Sequence, residues 1–216
     1  MTVEIKFCGM TRAEDAEYAA SLGAAYVGVI FADSPRRVEP AAASAVIASV
    51  RGRARTVGVF GPATLETIAT LASDVGLDVV QLHGDPSAEV VEQVRPVFNG
   101  EVWAAVRIAD SELPREAAAL LGVADAVVLD AKTPGHLGGT GQAFDWDAIA
   151  RALDRHRGHA RVVLAGGLNP ENVARAVGVV APDVVDVSSG VERAPGIKDH
   201  ARMRAFSDAV RRRGEP

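Results

Sequence analysis

Short apolar runs rich in Val, Ile, Leu and Ala recur along the chain, and each gives way to a stretch whose apolar residues return every three or four positions. The runs predict strands at Val3 to Phe7, Tyr26 to Phe31, Thr56 to Phe60, Val79 to Leu82, Val102 to Arg107, Ala126 to Leu129, Val162 to Leu164 and Val184 to Val187. Their brevity and β-branched content fit parallel strands covered on both faces. Helix starts are marked between them. Thr11 and Glu14 have capping-box spacing ahead of Ala16, Ala19, Ala20 and Leu22. Asp85-Pro86 and Asn169-Pro170 each set a polar cap before a proline suited to the first helical position. Asp145 stands ahead of Ala148, Ile149 and Leu153, and Asp199 ahead of Met203, Phe206 and Val210, in the same manner.

These strand–helix units use almost the whole chain, so residues 1–216 read as a single domain with no linker. Two architectures share the pattern. A doubly wound open sheet would concentrate informative polar residues near one switch point. A closed parallel barrel gathers the loops after every strand at one rim and leaves no sheet edge. Here such residues follow many strands: Cys8-Gly9, Ser34 to Arg37, His83-Gly84, Arg107, Asp130 to Lys132, Gly166-Gly167 and Ser188 to Gly190. The expected fold is therefore α/β, a (β/α)8 TIM barrel of the phosphate-binding type.

Composition supports that picture. Hydrophobic residues make up 48% of the chain and aromatics only 5%, which suits a core of branched strand residues and small helix residues. A chain of this length buries roughly 70% of its unfolded surface and needs no metal or disulfide staple. Cys8 is the only cysteine, so no intrachain disulfide forms, and a reducing cytoplasmic setting is expected. The N-terminal segment meets charge too early for a signal peptide. No apolar run approaches the length of about 18 residues that a membrane span needs. The net charge of -5 and the scattered basic residues argue against nucleic acid as a partner, but not against a small anionic ligand.

Candidate chemistry lies at the strand ends. Gly166-Gly167 follows the run RVVLA and precedes a capped helix, so backbone N–H groups could approach an anion there. Ser188-Ser189-Gly190 adds hydroxyls and amides after the last strand, and the two loops together match a barrel's phosphate cradle. Read singly, each is equally a structural turn. Cys8 reads as an inert small hydrophobe or, at a rim beside a glycine, as a thiolate base. Asp130, after four apolar residues, reads as an acid or as the partner of Lys132. Asp186 points beneath a ligand or serves as a buried structural carboxylate. Arg36 offers a rigid fork for a carboxylate or phosphate, with Arg37 beside it as the alternative. His83 contacts ligand or satisfies a strand-end carbonyl. Gly138 to Gly141 reads as a covering loop or a connecting turn. His136, His156 and His159 have no metal-ligand spacing with Cys8, and no metal is expected.

Taken together, KFCGMT, DSPRRV, VQLHGD, LDAKTPGHLGGTGQAFDW, LAGGLNPENV and DVSSGVERAPGIKDH resemble the phosphoribosylanthranilate isomerase family, in order and over nearly the entire chain. The resemblance implies a phosphate-binding barrel and a cofactor-free Amadori rearrangement of N-(5'-phosphoribosyl)anthranilate in tryptophan biosynthesis. It implies Cys8 as general base and Asp130 as general acid. It implies Arg36 and Asp186 as substrate contacts, beside the candidate His83, and Gly166, Gly167, Ser189 and Gly190 as phosphate contacts. The nearest alternatives are an isomerase of histidine biosynthesis, expected to carry an aspartate where this chain has Cys8, or an enzyme acting on both substrates. A noncatalytic phosphometabolite-binding protein would keep the cradle without needing Cys8 and Asp130. The oligomeric state is left open.

Overall fold

A computed structural model describes residues 2–108, 112–131, 145–155 and 158–212. Lys132, His136, Gly138 to Gly141 and His156 lie outside the described residues. Eight strands, β1 (Glu4–Phe7), β2 (Tyr26–Ile30), β3 (Arg55–Phe60), β4 (Val79–His83), β5 (Glu101–Ile108), β6 (Ala126–Ala131), β7 (Arg161–Leu164) and β8 (Val184–Val187), form a closed barrel in sequence order. Closure is made by β1 and β8, parallel from Glu4 opposite Val184 to Phe7 opposite Val187. Helices α1 (Ala13–Ser21), α2 (Pro40–Val50), α3 (Leu65–Val75), α4 (Ala88–Val94), α5 (Arg115–Val123), α6 (Trp146–Arg155), α7 (Val173–Val180) and α8 (His200–Arg211) follow the strands in turn.

Strand periodicity divides the core into two layers. Residues such as Ile5, Phe7, Val27, Val80, Leu82, Leu129 and Val185 face outward and pack with the buried helix residues. The alternate positions face inward: Tyr26, Val57, Val79, Trp103, Ala126, Val128, Val163 and Val184 fill the barrel. Its N-terminal end is closed by charged groups. Arg161 reaches Glu4 and the Tyr26 hydroxyl, and Glu101 accepts from Arg55 and from the Trp103 indole.

The strands fall at the expected positions: β1 and β2 are a residue shorter, β3, β4 and β7 a residue longer, and β5 and β6 two residues longer. The helix starts are less faithful. Asp145 accepts from the Ala148 amide at 3.1 Å, and Asp199 accepts from the Ala201 and Arg202 amides, as expected of caps. Thr11 does not cap α1: its hydroxyl donates to the Gly196 carbonyl at 2.5 Å, and Glu14 pairs with Arg12. Asp85 does not cap α4 either. Its carboxylate accepts from the Arg107 side chain and amide, and Ser87 becomes the cap. Asn169 accepts from the Glu171 and Asn172 amides in a turn, four residues before α7 begins at Val173. In each case a partner distant in sequence or a tighter local turn outcompetes the simple cap.

One element has no counterpart in the sequence reading. After β8 the chain makes a small antiparallel hairpin, β9 (Glu192–Ala194) with β10 (Ile197–Lys198). It is fastened to the segment entering α1 through the Thr11–Gly196 bond, and to α1 itself through Asp15, which accepts from the Lys198 amide at 3.2 Å.

Candidate active site

The inward period of each strand runs on to the C-terminal rim, where apolar residues give way to polar ones. On β1 it carries Lys6 and then Cys8, on β4 Gln81 and His83, on β6 Val128 and Asp130, and on β8 Val184 and Asp186. Cys8, Gln81, His83, Val128, Asp130 and Asp186 line one pocket, with about 730 Å³ of open space out to its mouth. Arg36, Gly166, Gly167, Ser188 and Ser189 complete its wall. Residues spread over the chain thus meet at one rim, as the sequence predicts.

Lys6 was not foreseen. It is fully buried beneath the pocket, with Nζ 2.7 Å from an Asp186 carboxylate oxygen. The other Asp186 oxygen, Oδ1, is buried with no partner among the described residues. A side chain at Gly28 would lie 3.0 Å from Cys8 Sγ and 3.4 Å from Lys6 Cε, so both lean into the space that this glycine leaves on β2. Burial opposes the Lys6 charge, but Asp186 and Cys8 outweigh it and carry the ammonium above its ordinary range. Burial pushes the Cys8 thiol up as well, with Lys6 the leading group that opposes the rise.

Across the pocket, His83 Nε2 lies 3.6 Å from Asp130. Burial, followed by the Lys6 charge, lowers the His83 pKa, so the imidazole is neutral near pH 7. Its Nδ1 and the Gln81 Oε1 are buried without partners among the described residues, which leaves polar atoms on the wall for a ligand.

Gly166 and Gly167 follow β7 with φ of 79° and 71°, left-handed values that a side chain would strain. The Gly167 carbonyl accepts from Asn172 Nδ2 at 2.9 Å, which fixes the loop's orientation. Ser189 lines the pocket. Gly190 does not: a Cβ there would come within 1.9 Å of the Leu168 carbonyl oxygen, so this glycine lets the two loops close together.

Arg36, rather than Arg37, faces the pocket. Arg37 is exposed, 3.7 Å from Glu39. Arg36 is buried and bound to Glu192, a residue that the sequence reading left without a role. The period of two would have flagged Lys6 and Gln81, since each stands two residues before a candidate on the same strand.

Among the described residues no group of His, Cys, Asp and Glu could hold a metal ion, and no helix is long and apolar enough to cross a membrane. The pocket can hold an anion at two loops, present a thiol and a carboxyl group from separate strands, and keep a buried cation near the thiol. That is acid–base equipment.

A family model of N-(5'phosphoribosyl)anthranilate (PRA) isomerase matches residues 5–209. The chain is 40% identical over 213 residues to the N-(5'-phosphoribosyl)anthranilate isomerase of Acetivibrio thermocellus, covering 96% of this chain and 95% of that protein. It is also similar to the crystal structure of phosphoribosyl anthranilate isomerase from Thermotoga maritima, with a TM-score of 0.85 and 38% identity over 97% of this chain and 99% of that one. A third likeness, with a TM-score of 0.82 and 35% identity over 97% and 99%, is to a phosphoribosyl anthranilate isomerase in complex with reduced 1-(o-carboxyphenylamino)-1-deoxyribulose 5-phosphate.

Proposed function

The chain belongs to the N-(5'-phosphoribosyl)anthranilate isomerase family, and we propose that its rim pocket carries out the Amadori rearrangement of N-(5'-phosphoribosyl)anthranilate to 1-(2-carboxyphenylamino)-1-deoxyribulose 5-phosphate, a step of tryptophan biosynthesis. The observation that carries the assignment of roles is the shared pocket of Cys8, Asp130 and the two Gly/Ser loops.

The phosphate rests on the Gly166-Gly167 and Ser188-Ser189 loops, which fix the sugar between β1 and β6. Asp130 protonates the ribose ring oxygen as the anomeric C–O bond opens, with the anthranilate nitrogen pushing. The Schiff base so formed acidifies the proton on sugar C2. Cys8 as thiolate removes it, and the enolamine tautomerises to the ketone. The electron sink is the substrate's own iminium, so no cofactor is called for. Cys8 and Asp130 stand on non-adjacent strands, which lets acid and base address different atoms of one anchored molecule.

Burial alone would leave Cys8 protonated, and Lys6 offsets part of that cost. Because Lys6 already neutralises Asp186, the group of three carries a single negative charge once the thiol ionises. Neutral His83 places a polar ring nitrogen close to Asp130 without adding a cation that would favour its ionised form.

Fluorescence of freshly generated N-(5'-phosphoribosyl)anthranilate tests the reading, with the histidine-pathway aminoaldose substrate run beside it. Folded protein should consume the first. Absence of turnover would remove the assignment.

A further inference from the structure

Glu192, on the hairpin after β8, takes up one edge of the Arg36 guanidinium. Arg36 Nε lies 2.8 Å from Glu192 Oε1 and 3.0 Å from Oε2, and Nη2 lies 2.8 Å from Oε2. The same carboxylate accepts from Lys198 Nζ at 2.8 Å and from the Gly196 amide at 3.3 Å. Lys198 also donates to Ser188, at its carbonyl and hydroxyl oxygens, so its three N–H groups have three acceptors. Its ammonium is buried and saturated. Burial opposes the charge of Glu192, yet Arg36 and Lys198 hold its carboxyl below the usual range, so the clamp is ionised near neutrality.

The other end of Arg36 is fixed too. Its amide donates to Ser34 Oγ at 3.1 Å, and its stem lies so close over Gly9 that a Cβ there would come within 2.6 Å of Arg36 Cδ. With stem and inner edge held, the fork has one orientation. Nη1 makes no hydrogen bond among the described residues, while Arg36 lines the pocket. The three side chains of Arg36, Lys198 and Glu192 sum to one positive charge.

We propose that Glu192 is a specificity-determining positioning residue: it holds Arg36 by its Nε–Nη2 edge so that the remaining edge meets a carboxylate on the substrate's aromatic ring. This rests on the substrate reading given above and adds to it the device that selects a ring bearing an acid. The residue reaches the ring carboxylate through Arg36, while Lys198, its other partner, keeps its own two bonds to Ser188. It touches no reacting atom.

Two substrates separate that role from general support: N-(5'-phosphoribosyl)anthranilate and N-(5'-phosphoribosyl)aniline, which lacks the carboxylate. Glu192→Gln places an amide N–H pair where Arg36 and Lys198 need acceptors, so the fork loses its fixed edge. Its kcat/KM on the anthranilate substrate should fall about tenfold or more, mostly through KM, as expected when a charge-assisted contact is misaligned. On the aniline substrate it should stay within about threefold of the unaltered chain, since only the phosphate and sugar contacts serve there. In an Arg36→Met background, Glu192→Gln should no longer distinguish the two substrates. Equal losses on both substrates, no loss on either, or a lower KM for the anthranilate substrate would overturn the proposal. The last would mean that Glu192 competes with substrate for the fork. If Glu192→Gln does not melt cooperatively, Glu192→Asp, which keeps the charge but withdraws it by one methylene, is read in the same way. Failure of the unaltered chain to turn over either substrate would instead count against the substrate reading.

Discussion

Removing the charge of Lys6 should raise the pH at which Cys8 ionises, since Lys6 is the leading group that opposes the effect of burial. The ammonium is buried, and the Gly28 contacts put Lys6 Cε and Cys8 Sγ no further apart than the sum of 3.0 and 3.4 Å. At an effective dielectric of about 20, a unit charge at about 5 Å is worth about 3 kcal/mol, or roughly a hundredfold in the thiolate population. The sign follows from the charge. A cation favours the thiolate, so its loss favours the thiol and moves the midpoint upward. Lys6→Met alone would strand the Asp186 carboxylate, which is costly when buried. The clean comparison is therefore Lys6→Met/Asp186→Asn against Asp186→Asn, which differ only in the cation. Cys8 is the chain's only cysteine, so the rate of alkylation by iodoacetamide against pH reports one group. The acid limb of kcat/KM should move with the alkylation midpoint, at lower absolute activity. An unchanged or lower midpoint in a cooperatively melting double variant would refute the reasoning, since the thiolate would then owe nothing to Lys6.

Three further outcomes are expected. Cys8→Ser and Asp130→Asn should each lower kcat by about 10²- to 10⁴-fold, the usual worth of a placed acid or base, while binding of a reduced product analogue measured by calorimetry stays within about threefold. Gly167→Asp should weaken binding of inorganic phosphate by about tenfold or more relative to Gly167→Ala; both variants strain the left-handed backbone at φ 71°, so their difference isolates the added charge. For Glu192 the folded pKa lies below its ordinary value of 4.5, so its stabilisation is present above pH 4.5 and is lost as pH falls through the lower folded value. The melting temperature of the unaltered chain should therefore exceed that of Glu192→Gln at pH 7, and the gap should narrow below pH 4.5; a gap constant down to pH 3 would contradict the shift.

The barrel was legible because its signal is local. Each strand is a short apolar run with a fixed period, and eight of them in alternation with helices admit few closures. The site followed from the same period, for Cys8, His83, Asp130 and Asp186 each stand at the last inward positions of a strand or just past it. Lys6 escaped notice because a lysine in an apolar strand carries no sign of its buried partner, Asp186, which is 180 residues away. The caps at Thr11 and Asp85 failed for a related reason. A short polar side chain before a helix is a good local cap, but Gly196 and Arg107 reach those groups through the tertiary fold and bind them first. The hairpin at Glu192–Ala194 and Ile197–Lys198 is too short to show a period at all.

That hairpin also gives the rim its electrical asymmetry. On the β1, β2 and β8 side the ion-paired groups are Lys6, Arg36 and Lys198 with Asp186 and Glu192, one cation in excess within that paired set, while Asp33 stands exposed at the pocket wall. In the proposed reaction a phosphate and a ring carboxylate would bring more negative charge than this excess balances, and backbone amides at the glycine loops would carry part of the load. Ionising Cys8 on the same side would use up the excess. The cost is smallest if the thiol's proton leaves while the outer edge of Arg36, still held by Glu192, meets the carboxylate and Lys6, still paired with Asp186, faces the sulfur. A fold that spaced these cations on one strand could not do this, because successive inward residues lie about 7 Å apart along a strand, with their order fixed. Drawing them from β1, the loop after β2 and the hairpin after β8 surrounds the substrate instead, and leaves the β4–β6 side, with neutral His83 beside Asp130, free to handle the proton that must be given rather than taken.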